Sequence, residues 1–146
     1  MENAAIIVVL DNDQRDVEKF RQDLEQVAKE SLMFTDHVFC IAVKEMEAWL
    51  LGDEEAIEKA YPMIKKKYLK TYEQDGICDT WEVLANMVYP GGLSGLRKKS
   101  KSSYSETGKA KCEWADKIGR ELILENNISP SFRKLLSALQ IRIEAA

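Results

Sequence analysis

The run Ala4-Ala5-Ile6-Ile7-Val8-Val9-Leu10 constrains this chain more than any other segment. It is apolar at every position and rich in β-branched side chains, so it lacks the alternation of a half-exposed strand. A segment of this kind belongs in the middle of a sheet covered on both faces. It stops abruptly at Asp11-Asn12-Asp13. From Asp16 the period changes: Val17, Phe20, Leu24, Val27 and Ala28 recur at helical spacing, while Glu18, Lys19, Arg21, Gln22 and Glu25 face elsewhere. Val38-Phe39-Cys40-Ile41-Ala42-Val43 then reads as a second buried strand. The helix between the strands supplies a crossover, so the simplest assembly is a right-handed βαβ unit with parallel strands. The expected fold is α/β, with a small, mainly parallel sheet, flanking helices and a helical C-terminal half.

The helical half begins at Glu45-Met46-Glu47-Ala48-Trp49-Leu50-Leu51, where Met46, Trp49 and Leu50 are expected to pack inward. Asp53 caps a helix through Ala60, which Tyr61-Pro62 interrupts. Asp79-Thr80-Trp81-Glu82 has capping-box spacing, and Trp81, Leu84, Ala85 and Val88 form a stripe that ends at Pro90-Gly91-Gly92. Residues 93–108 are rich in Ser, Lys and Gly and read as a flexible basic loop. Trp114, Ala115, Ile118 and Leu122 mark the next helix. Ser129 caps the last one, with Pro130 at its first position and Phe132, Leu135, Leu136 and Leu139 on one face. With 146 residues, 45% of them hydrophobic, the chain suits one domain over 1–146 and shows no internal repeat.

Several function classes fall away. The longest apolar stretch is far short of the roughly 20 residues a membrane helix needs, and no signal-peptide pattern precedes it, so a cytoplasmic protein without membrane contact is expected. A net charge of −4 argues against coating nucleic acid through bulk charge, though not against a local basic groove. Cys40, Cys78 and Cys112, with the single His37, give neither a disulfide framework nor a zinc site. Cys40 lies in an expected buried strand and should be inert; His37 has no serine or cysteine partner for nucleophilic catalysis.

Asp11 and Asp13 follow the first strand, and open α/β sheets bind ligands beyond the carboxyl ends of their strands. Two carboxylates one residue apart suit a hard cation such as Mg²⁺ or Mn²⁺. Glu45 and Glu47 follow the second strand and would emerge at the same end of the sheet, as a further ligand or base. The same residues also have ordinary roles: Asp-Asn-Asp is a common turn and cap, and acids in a first helical turn are favoured by the helix dipole. Two cationic clusters, Lys65-Lys66-Lys67 with Lys70 and Arg97-Lys98-Lys99 with Lys101, could hold a phosphate backbone, and Tyr68, Tyr72 and Tyr104 could stack on bases. Solvated lysine faces are the alternative. Gly91-Gly92 and Gly95 lack the Lys-Ser/Thr pair of a phosphate loop.

Taken together, Val8-Val9-Leu10-Asp11-Asn12-Asp13, Glu45-Met46-Glu47-Ala48-Trp49-Leu50-Leu51-Gly52-Asp53, Thr80-Trp81-Glu82, Gly91-Gly92-Leu93 and Ser129-Pro130-Ser131-Phe132 resemble the bacterial proteins grouped as domain of unknown function 4276. These look related to the TOPRIM domains of topoisomerases, primases and overcoming-lysogenization-defect nucleases. The resemblance implies a TOPRIM-like sheet, a Mg²⁺ site at Asp11 and Asp13, and a place beside a partner ATPase in antiphage defence. It departs at the N-terminus. TOPRIM enzymes pair the two aspartates with a glutamate on an earlier strand, whereas Glu2 is the one acidic residue before Asp11 here. A shortened member, a fragment, or half of a split protein whose partner supplies the strand is expected.

The leading functional expectation is a metal-dependent nucleic-acid phosphodiesterase or its subunit, with Asp11, Asp13, Glu45 and Glu47 as catalytic candidates and Asp11, Asp13 and Glu47 on the metal. Lys65, Lys66, Lys67, Arg97, Lys98 and Lys99 would contact phosphates. The alternative is a non-catalytic interaction protein that keeps the fold and assembles, as a homo-oligomer or with a partner, through an exposed sheet edge. A phosphate-transfer domain of the haloacid dehalogenase or response-regulator kind fits poorly, because Gln14-Arg15 follows the aspartates and no later strand ends in the Asp or Lys such a site needs.

Overall fold

The computed structural model describes residues 4–32, 35–103 and 105–145. The βαβ expectation holds in its order: β1 (Ala5–Asp11), α1 (Val17–Glu30) and β2 (Asp36–Ala42) lead the chain, and the strands pair in parallel from Ala5 opposite Asp36 to Asp11 opposite Ala42. Asp16 starts α1 by accepting a hydrogen bond from the Lys19 amide at 2.8 Å. Among the described residues the sheet has these two strands alone.

The first strand does not sit where its composition places it. Phe39, Cys40, Ile41 and Ala42 of β2 are buried, but no residue of β1 is, and Ile6 and Val9 are each 40% exposed. β2 is covered because α1 and α7 (Pro130–Glu144) both pack on it, and they leave the outer side of β1 bare. The strand type was legible from the residues; the number of neighbours was not.

The main core lies among helices instead. α2 (Glu47–Leu51), α3 (Glu54–Ala60), α4 (Thr80–Val88), α5 (Gly92–Ser100) and α6 (Glu106–Glu121) bury Leu51, Ile57, Leu84, Met87, Leu96, Trp114 and Ile118 in one cluster. A 3-10 turn over Lys66–Thr71 links α3 to the segment before α4. A smaller cluster of Ala42, Trp49 and Phe132, backed by Leu135 and Leu136, fastens α7 to the sheet, with the Trp49 and Phe132 rings 5.5 Å apart.

Three local expectations are corrected. Residues 93–108 are not a loop: α5 and the first turn of α6 fill most of the segment, and Leu96 anchors α5 in the core. Gly91 and Gly92 make the entry to α5 possible, since both adopt the left-handed region (φ 78° and 65°) that disfavours other residues. Tyr104, offered above as a stacking residue, lies outside the described residues. Met46 faces out, 41% exposed, while Trp49 is buried as expected. Asp79 does not cap α4: it is itself left-handed (φ 64°) and makes no cap bond. Glu45 does that work from a distance, its Oε2 accepting from the Thr80 amide at 2.7 Å and from the Thr80 hydroxyl at 2.6 Å.

Candidate functional site

The parallel pairing carries both strand ends to one edge, so the Asp11–Asp13 loop and the Val43–Glu47 loop lie side by side. Asn12, fully buried, ties them together: its Oδ1 accepts from the Lys44 amide at 2.6 Å, and its Nδ2 donates to the Arg15 carbonyl at 2.6 Å. The Asp13 amide adds a bond to the Lys44 carbonyl at 2.8 Å. Both loops turn through left-handed residues, Asp13 at φ 50° and Lys44 at φ 75°. Aspartate tolerates that conformation; a lysine there is strained, and strain of this kind persists where surrounding bonds over-determine the backbone.

Asp11 is the centre of this corner. Its side chain is half-buried, and its Oδ1 is shielded from solvent with no hydrogen-bond partner. Burial raises its pKa to about 6, and the negative charges of Glu47, Asp13 and Glu45 push the same way, against the lowering influence of the nearby Met46 backbone. The four expected acids are therefore electrostatic neighbours. They are not equally available. Glu47 is buried and its Oε1 meets the Lys111 ammonium at 3.0 Å; Glu45 is committed to Thr80; Asp13 is exposed, with Arg15 no nearer than 4.0 Å. Among the described residues, no three His, Cys, Asp or Glu side chains gather as a ready cage for a metal ion.

Glu82 extends the acidic line along α4. Burial raises its pKa, aided by the charges of Asp79 and Glu45, and its Oε2 is another shielded oxygen without a partner. Arg97 of α5 reaches its other oxygen at 3.4 Å, and Lys98 and Lys101 line one shallow groove with Arg97. The basic residues divide from there. Lys99 is tied to Glu106 at 2.7 Å, and Lys66 is held by Glu54 and Glu58 of α3. Lys67 stands over the Tyr68 ring, 5.0 Å from its centre.

Three residues of this region were not foreseen. Lys111, whose ammonium also stands 5.6 Å from the centre of the Trp81 ring, comes from α6 and has no sequence signal linking it to Glu47. Asn12 was visible only as the middle of a turn. Thr80 was read as part of a capping box, and its true partner lies 35 positions away.

A second polar cluster accounts for the other motif residues. The Trp49 indole donates to the Ser131 hydroxyl at 2.8 Å, the Asp75 carboxylate accepts from the Ser131 amide at 2.8 Å and the Ser129 hydroxyl at 2.9 Å, and Asn127 donates to the Trp49 carbonyl at 2.7 Å. Asp53 caps α3 through the Ala56 amide and accepts the Ile123 amide with its other oxygen. A Cβ on Gly52 would collide with the Asn127 side chain.

These features define an α/β domain with an acidic corner at the carboxyl ends of two parallel strands, braced by a helical C-terminal half. The model of the family described as "Domain of unknown function (DUF4276)" matches residues 1–140, and the chain belongs to that family. None of the curated proteins and none of the solved structures matches it. No helix among the described residues is long and apolar enough to cross a membrane.

Proposed function

We propose that the chain is a divalent-metal-dependent phosphodiesterase acting on nucleic acid, or a subunit of one, with Asp11 at its centre. The observation that carries this reading is the shielded, unpartnered oxygen of Asp11 at the carboxyl end of a parallel strand, among Glu47, Asp13 and Glu45. At neutral pH Asp11 is mostly ionised, and an ionised oxygen so placed lacks the donor that burial demands. Hard carboxylate oxygens suit Mg²⁺ or Mn²⁺, and Mg²⁺ needs only one or two of them because it keeps several waters. Asp11 and Asp13 would hold the ion, with Glu47 joining when Lys111 withdraws. Such an ion supplies charge neutralisation at a phosphoryl oxygen. Arg97, Lys98 and Lys101 would position the phosphate backbone, and Lys65, Lys66, Lys67 and Lys99 would contribute less, since Lys66 and Lys99 already have carboxylate partners. The TOPRIM-like kinship and a role beside a partner ATPase in antiphage defence rest on the motif resemblance.

Two contacts favour the second reading, a non-catalytic interaction protein: Lys111 already neutralises Glu47, and Thr80 already occupies Glu45. Titration calorimetry with Mn²⁺ separates the two. Wild type should give a binding heat that Asp11→Asn abolishes while its circular dichroism stays unchanged; equal heats from both proteins remove the metal site and leave the interaction reading.

A further inference from the structure

Lys111 is a cation built into the acidic corner. It comes from the second turn of α6, and its ammonium lies 3.0 Å from Glu47 Oε1 and 5.6 Å from the centre of the Trp81 ring. Two other ion pairs of α6, Lys117 with Glu113 and Arg120 with Asp116, stand in solvent, where such contacts contribute little. The Glu47 side chain is 10% exposed and that of Lys111 35%, so their pair is enclosed, and breaking it without a substitute strands a charge.

Glu47 faces two neighbours at once. Of the acids around Asp11 it exerts the strongest charge effect, although Lys111 already sits on it. It is therefore close enough to act on a charge held at Asp11 and is itself held by another. Lys111, for its part, has two places to rest. An ammonium within about 6 Å of an indole face is attracted by the ring. Giving up Glu47 would leave it on Trp81 with solvent beside it, and not in an apolar gap.

We propose that Lys111 is a tethered counter-ion that competes with a divalent cation for Glu47. In the metal-free chain the ammonium neutralises this carboxylate and limits the repulsion among Asp11, Asp13, Glu45 and Glu47. When the corner takes up its ion, Glu47 exchanges the ammonium for it, and Lys111 is left on the Trp81 face. One carboxylate cannot fully serve both cations, so the coupling is negative and reciprocal: whatever the lysine costs the ion, the ion costs the lysine. The inference rests on the metal-site reading, and it makes Lys111 a regulator of that site, not one of its ligands.

Lys111→Met keeps the apolar stem beside Trp81 and loses the charge. In titration calorimetry of the full chain it should bind Mn²⁺ about tenfold more tightly than wild type, an ordinary coupling between linked sites. Lys111→Arg keeps the charge and should bind as wild type does. In wild type, Mg²⁺ should speed the modification of Lys111 by an amine-reactive succinimidyl ester, read by mass spectrometry, while Lys117 on the same helix keeps its rate. Asp11→Asn should abolish that response. The labelling needs no variant at position 111 to fold. Equal or weaker Mn²⁺ binding by a folded Lys111→Met, or a Lys111 labelling rate indifferent to Mg²⁺ that wild type binds, would overturn the inference and leave the metal site standing. No binding heat from wild type and none from Lys111→Met would remove the metal site itself, and the inference with it.

Discussion

Asp11 and Asp75 are carboxylates of the same chemistry at two places in one small fold, and they are treated oppositely. Asp75 accepts from the Gln74 amide, the Ser129 hydroxyl and the Ser131 amide, between 2.8 and 2.9 Å, and joins the buried cluster of Trp49, Ser129 and Ser131 that locks α7 to α2 and β2. Asp11 has a shielded oxygen with nothing bonded to it and three carboxylates for neighbours. A polar group that folding has satisfied is part of the architecture. One whose buried oxygen is left without a donor at the end of a strand is the better candidate for a ligand. By that measure the C-terminal motif residues hold the fold together, and the strand-end corner is where chemistry has room.

The sharpest way to break this comparison is Asp75→Ala. If the carboxylate is architectural, its loss strands the Ser131 amide and the Ser129 hydroxyl and lowers unfolding stability by about 3 kcal/mol, read from urea titration. A melting curve that did not move would mean that Asp75 is as free as Asp11, and the contrast would vanish. Glu45 sits between the two regions, and Thr80→Val decides to which it belongs. Losing a hydroxyl bonded to a carboxylate should cost about 1.5 kcal/mol while leaving the Mn²⁺ heat as in wild type. A changed heat at unchanged stability would move Glu45 into the acidic site.

Much of this was legible in the residues, for reasons that can be traced. The strand end at Asp11, the cap at Asp53 and the Ser129–Pro130 helix start are local signals, set by neighbours within a turn, and the structure places each of them as expected. The basic segment after Gly92 was misread because its helix is held by one buried residue, Leu96, in a run whose other positions look like a linker. The acidic corner was visible as a cluster but not as a ranking: Glu45 and Glu47 look alike in the sequence, and only long-range partners, Thr80 and Lys111, distinguish a capping acid from an ion-paired one. The exposed face of β1 was illegible for a different reason. Composition reports that a strand suits neighbours on both sides, and says nothing of how many the fold supplies.

The smallest expected effect has the opposite sign and tests the Asp11 end directly. Its pKa of about 6 in the folded protein lies above the ordinary aspartate value of 3.8, so the folded state holds the proton more tightly. Below about pH 4 the group is protonated in both states and costs nothing. Above pH 6 it is ionised in both, and the full penalty of the crowded, half-buried charge is present. Stability contributed through this group therefore falls as pH rises from 4 to 6. Asp11→Asn keeps the shape without the charge and should stabilise the protein by about 1 kcal/mol at pH 8, after discounting for solvent screening, with the gain fading to nothing near pH 4. A gain independent of pH would mean that the neighbouring charges do not act on Asp11. Saturating Mn²⁺ should reverse the order at pH 8, because a cation that binds only the folded wild type adds its binding free energy to that protein alone.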